Sequence, residues 1–210
     1  MAANTEQLDR RAKAIEKELY KRADGGSACA ELAAVLQEYR AACEALIFSN
    51  FEYASAHELQ TTLWNAHLKV NAIFRQEHKL LKRSKDHVVE IRKFQKTYLQ
   101  FIKASQRFYR QYILNLDTQF DGIPELRKIA QKWKDDTSRS SSRQRIPATL
   151  KTQVLLSCHQ TLIQLGDLSA TAKPNSSKRT RSATGAPPRD TIISLPKYTQ
   201  TPDMRRTSSL

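Results

Sequence analysis

Glycine and proline are scarce: the 210 residues contain five Gly and seven Pro, and Pro124 and Pro147 are the only prolines among the first 170. So few breakers exclude a fold of many short strands joined by tight turns and favour long helices. The three cysteines, Cys29, Cys43 and Cys158, are odd in number, far apart and without a C-x-x-C pair. That pattern excludes a disulfide framework and a cysteine zinc site, and points to free thiols in a reducing compartment. No stretch is long and apolar enough for a membrane span, and the first residues, MAANTEQLDRR, hold no apolar signal core. A soluble, intracellular protein with no membrane partner is expected.

Catalytic patterns are lacking as well. No two of the five histidines (His57, His67, His78, His87, His159) are four apart, and there is no H-E-x-x-H, G-x-S-x-G or glycine-rich phosphate loop. Asp135 and Asp136 lie at a loop edge, where solvated helix-end charge accounts for them. The expectation is a binding or scaffold protein, not an enzyme, with no metal and no cofactor.

What the chain has is positive charge. Lys and Arg number 35 against 21 Asp and Glu, a net charge of +14 and a pI of about 9.9. Residues 61–134 carry 16 basic and 6 acidic side chains, whereas residues 1–60 carry 7 and 10. The excess therefore belongs mainly to the middle of the chain, and it suggests an anionic partner.

Apolar spacing predicts helices over about 5–22, 28–54, 59–82, 87–116, 125–134 and 150–168, which makes the fold all-α. Ser169 onward is rich in Ser, Thr, Pro and basic residues, so residues 170–210 are expected to be a disordered basic tail behind a helical domain of residues 1–169. Ile192–Pro196 is at most a short docking segment within it. Arg179 before Ser182, and Arg205 and Arg206 before Ser208, resemble sites for a basophilic kinase.

The helix over 87–116 is the most informative. Ile91, Phe94, Tyr98, Phe101, Ser105, Phe108 and Tyr112 share one face. Arg92, Lys96, Lys103, Arg107 and Arg110 fall within an arc of about 60° on the other, in a stripe about 27 Å long. Glu90 is the only carboxylate between residues 87 and 116. Solubilising faces interleave both signs, whereas an unbroken cationic stripe suits nucleic-acid phosphates, held without sequence preference and weakened by salt. Lys178, Arg179 and Arg181 in the tail offer further contacts. The alternative is a protein–protein scaffold whose charge is only a solvated surface.

Three segments, FEYASAHELQTTLWNAHLKVNAIFRQ (51–76), FIKASQRFYRQYI (101–113) and CHQTLIQLGDLS (158–169), resemble in that order the N-terminal domain of the telomerase-activating "ever shorter telomeres" proteins. The nonsense-mediated mRNA decay factors related to them share this domain, and the similarity covers about residues 5–169. It implies an antiparallel helical bundle of 14-3-3-like and tetratricopeptide-like kind. It also implies partners: RNA (telomerase RNA above all) or single-stranded telomeric DNA, phosphorylated proteins, and subunits of telomerase or mRNA-decay complexes. The implied location is the nucleus, with the cytoplasm as a second compartment. The Lys after the tryptophan of the third helix corresponds to Lys69, a phosphoserine contact in the family, and Trp64 to a core position. The family's second phosphate contact, an Arg after the Gly-Asp pair, is missing: Gly166–Asp167 is followed by Leu168–Ser169–Ala170–Thr171–Ala172. The resemblance stops at Ser169, so a shortened form of the domain is expected.

Overall fold

A computed structural model of the chain describes residues 2–83, 88–133 and 144–172. The chain divides into two units, Met1–Pro174 and Asn175–Leu210, and all described residues belong to the first. The expectations for the tail, for Ile192–Pro196 and the kinase-type sites, and for Asp135 and Asp136 lie outside the described residues.

Seven helices account for nearly all of the described residues: α1 (Ala2–Asp24), α2 (Cys29–Ser49), α3 (Phe51–Ala56), α4 (Leu59–Arg83), α5 (Val88–Gln119), α6 (Pro124–Ala130) and α7 (Ala148–Ala172). Between them β1 (Phe120–Asp121) pairs in parallel with β2 (Gln144–Arg145). That two-residue ladder was not expected; it anchors the end of the Ser/Arg-rich connection against the C-terminus of α5.

The long helices pack antiparallel to their neighbours, as expected. Tyr39 of α2 meets Thr62 of α4, and Asn71 and His78 of α4 bond Tyr98 and Gln95 of α5. Tyr112 and Gln106 of α5 bond Ser157 and Ser169 of α7. Two antiparallel steps, α2 to α4 and α4 to α5, leave α2 and α5 running in the same direction. Between α1 and α2 the chain reverses at Gly26, whose φ of +74° lies in the left-handed region that glycine enters without a Cβ clash. The amides of Gly25 and Ser27 close the end of α1 on the carbonyls of Lys21 and Arg22.

The single helix expected over 28–54 is two. Asn50 leaves helical geometry, with φ −150° and ψ 87°, and its side chain accepts a hydrogen bond from the Tyr53 amide at 3.0 Å. That is the N-cap role for which asparagine is suited, and it restarts the chain as α3 in a new direction. The last helix runs to Ala172, beyond its expected end at Leu168.

The core is contiguous. Leu32, Leu36, Val70, Phe74, Ile113, Leu116 and Val154 are wholly buried, each contributing about 1.5–3 kcal/mol of apolar transfer free energy. On α5 Phe101, Ser105 and Tyr112 of the expected face are buried, but the buried face as a whole is displaced from it. Ile102, Tyr109, Ile113 and Leu116 are buried, while Ile91, Phe94, Tyr98 and Phe108 are only half-buried. A helix turns 100° per residue against the 103° that a strict heptad assumes, so the face drifts along 32 residues. Cys43 and Cys158 are buried free thiols, and Cys29 is half-buried.

Candidate nucleic-acid interface

Because α2 and α5 each pack on α4, a groove of about 1200 Å³ stays open between them. Its α2 side is low, made of Ala30, Ala33 and Ala34, followed by Gln37. Its α5 side carries Lys103, Arg107 and Arg110, all exposed, with Phe108 half-buried below them. The helical turn explains this order: Lys103, Arg107 and Arg110 lie within one arc, and Ala104 and Phe108 lie between that arc and the core. Glu44 is the only carboxylate among the residues that border the groove, and it accepts a hydrogen bond of 2.6 Å from Asn115.

The five cations expected to act together are therefore divided. Lys103, Arg107 and Arg110 border the groove. Arg92 and Lys96 are also exposed, about three and two turns nearer the N-terminus of α5 than Lys103, but do not border it. The groove's border on α2 begins at Ala30, one residue into that helix, so the N-terminal part of the stripe faces solvent.

Lys69 stands apart from all of these. Its Nζ is 2.8 Å from the Asp24 carboxylate at the end of α1, and that hydrogen bond holds the ammonium above its ordinary pKa. A phosphate reaching Lys69 must replace Asp24, an exchange between two exposed charges that solvent makes easy. Trp64 is half-buried, stacked on the His67 ring at 4.9 Å and edge-on to Tyr109 at 5.6 Å. It is a packing residue, as its family position implies.

One residue under the groove escaped notice in the sequence. Arg40 of α2 borders the groove yet is only 2% exposed. Its Nη2 donates to Ser105 Oγ at 2.8 Å and to His67 Nδ1 at 3.2 Å, and its guanidinium carbon lies 5.3 Å from the centre of the Phe108 ring. Arginine has no acceptor, so His67 Nδ1 must accept and its Nε2 carries the proton. Burial and the adjacent guanidinium push the His67 pKa down to about 3. Among the described residues no carboxylate lies within ion-pair distance of Arg40 and its Nε has no hydrogen-bond partner, and burial lowers its own pKa. A signal was present in the sequence: Arg40 is the single cation between Arg22 and Lys69, and it falls on the apolar face of its helix.

The model of the family described as telomerase activating protein Est1 matches residues 58–170, more than half of the chain and all of α4 to α6. The chain belongs to the Est1 family. Its membership agrees with the resemblance carried by residues 51–76, 101–113 and 158–169, and it places the chain among telomerase-related proteins. The matched residues include Lys69 and the α5 stripe; α1, α2 and α3, Arg40 with them, precede the match. No curated protein and no solved structure matches this Est1-family chain. Among its described residues no cluster of His, Cys, Asp or Glu has the geometry of a metal site, and no helix is long and apolar enough to cross a membrane.

Proposed function

We propose that this Est1-family chain is a non-enzymatic adaptor that holds RNA or single-stranded DNA through the α5 stripe and joins it to a telomerase or mRNA-decay complex in the nucleus. The observation that carries this reading is the groove wall. Lys103, Arg107 and Arg110 stand exposed along one helix face, over a half-buried phenyl ring, and the one carboxylate bordering the groove is engaged by Asn115. Such a wall attracts a polyanion, and the ring below offers a surface on which a base can stack. Arg92 and Lys96 extend the cationic track beyond the groove, toward the N-terminus of α5. Lys69, on a separate surface, is the contact for a phosphoserine of a partner protein, which it takes by releasing Asp24. The helical domain of residues 1–169 is the binding body in this reading.

The scaffold alternative is favoured by a different observation: Leu156 and Ile163, seven residues apart on α7, are 64% and 55% exposed. An apolar pair at that spacing suits a protein partner. Replacing Lys103→Glu together with Arg107→Glu separates the two. Nucleic-acid binding predicts that a filter or gel-shift assay loses RNA retention while the helical circular dichroism is unchanged. The scaffold reading predicts no change in retention.

A further inference from the structure

Arg40 is an anomaly for stability. A guanidinium removed from water, with no carboxylate beside it among the described residues, is held at a cost that its bonds to Ser105 and a neutral His67 offset only in part. Even buried ion pairs are often replaced by apolar side chains of similar volume at no cost in stability. A guanidinium with only neutral partners is less well compensated than one in such a pair, so folding alone does not explain an arginine here. Its position does. It lies beneath the groove, between the alanines of α2 and the cations of α5, and is screened by the one half-buried ring that borders both it and the groove. Phe108, whose ring centre is 5.3 Å from the guanidinium carbon, is the side chain that would have to move for a ligand to reach it, and the Nε has no partner among the described residues.

We propose that Arg40 is the anchoring cation of the α2–α5 groove, taking one phosphate of a nucleic-acid strand while Phe108 turns outward to stack on the neighbouring base. This rests on the nucleic-acid reading above and adds a residue that lies outside the α5 stripe and outside the residues matched to the family. A strand is favoured over an acidic peptide for two reasons. The groove pairs its cations with a ring able to stack, and a phosphate brings several acceptor oxygens to a fork of N–H donors. Lys103, Arg107 and Arg110 capture the strand from solvent and lose strength as salt is added, whereas the contact to Arg40 forms out of water and is screened less.

The test uses the full chain, a fluorescein-labelled oligouridylate, a phosphoserine peptide, and the variants Arg40→Met and Arg40→Gln. Fluorescence anisotropy is expected to show wild-type binding to the oligouridylate weakened about 10- to 100-fold by either variant. The melting temperature of Arg40→Met should be equal to wild type or higher. Gln keeps a donor for Ser105 and His67, so it carries the comparison if Met disturbs packing. Wild-type binding that falls with Lys103→Glu but stays within about twofold in both Arg40 variants overturns this proposal and leaves the nucleic-acid reading standing. No binding to wild type at low salt overturns both. Arg40-dependent binding to the phosphoserine peptide without binding to the oligouridylate overturns the choice of occupant.

Discussion

Lowering the pH should unfold this protein partly through one side chain. His67 is wholly buried, with Trp64 stacked on one side at 4.9 Å and Phe101 at 5.3 Å, and its Nδ1 accepts a hydrogen bond from Arg40. Burial disfavours the charged ring, and protonation would also set two cations in contact, so its pKa is pushed down to about 3. In the unfolded chain the imidazole titrates at about 6.5. The folded value lies below the unfolded one, so below pH 6.5 the unfolded state binds the extra proton. The stability contributed by neutral His67 is thus complete above pH 6.5 and falls as the pH drops toward 3. The slope approaches the one-proton value of about 1.4 kcal/mol per pH unit between the two pKa values, so moving from pH 6 to pH 4 costs about 2–3 kcal/mol. For a chain of this length that corresponds to about 5–10 °C in melting temperature. The assay is urea unfolding followed by circular dichroism at both pH values, for wild type and His67→Gln. Glutamine keeps an acceptor for Arg40 but cannot be protonated. Carboxylates contribute equally to both proteins and cancel in the double difference, which should leave wild type losing about 2–3 kcal/mol more than the variant. Parallel losses, within about 0.5 kcal/mol, would refute the burial argument.

Three further outcomes follow from local geometry. Glu58, just before α4, has φ of 51° in the left-handed region, and its carbonyl accepts from the amides of Thr61 and Thr62. Glu58→Gly should relieve strain and raise the unfolding free energy by up to about 1 kcal/mol, and a loss of stability in urea melts would contradict this. Phe74 is wholly buried against Tyr98 and Phe101, at 5.4 and 4.6 Å, so Phe74→Ala should cost about 3–5 kcal/mol by the same melts. Asp24→Asn frees Lys69 from its exposed partner, leaving the melting temperature unchanged and strengthening phosphoserine-peptide binding in a titration. Unchanged peptide binding would remove Lys69 from the account.

Much of this architecture is legible in the sequence, because helices write their buried face as a period. The scarcity of glycine and proline, the spacing Leu32, Val35, Leu36, Tyr39 on α2, and the acid-free run after Glu90 on α5 suffice for an all-α bundle with one cationic helix face. Periodicity does not reveal which helices leave a gap. The groove exists because α2 and α5 both lean on α4, a tertiary fact, and it divides Lys103, Arg107 and Arg110 from Arg92 and Lys96 although all five share one arc. The break at Asn50 was hidden for a similar reason: apolar residues continue through Phe51 and Ala54, and only the cap to Tyr53 shows that the chain turns. Arg40 was overlooked because a lone arginine in an apolar stripe passes for a snorkelling edge residue. Its burial, and the absence of a carboxylate beside it among the described residues, emerge only when Ser105, His67 and Phe108 arrive from other helices.

The central claim is that the groove cations hold a phosphate backbone. The direct measurement is the salt dependence of oligouridylate binding by fluorescence anisotropy, for wild type and for a variant with Lys103→Gln, Arg107→Gln and Arg110→Gln. Each phosphate contact to a single strand contributes about −0.7 to the slope of log affinity against log salt. Losing three should flatten the slope by about 2. A wild-type slope near zero, or one that the triple replacement leaves unchanged, would contradict the account.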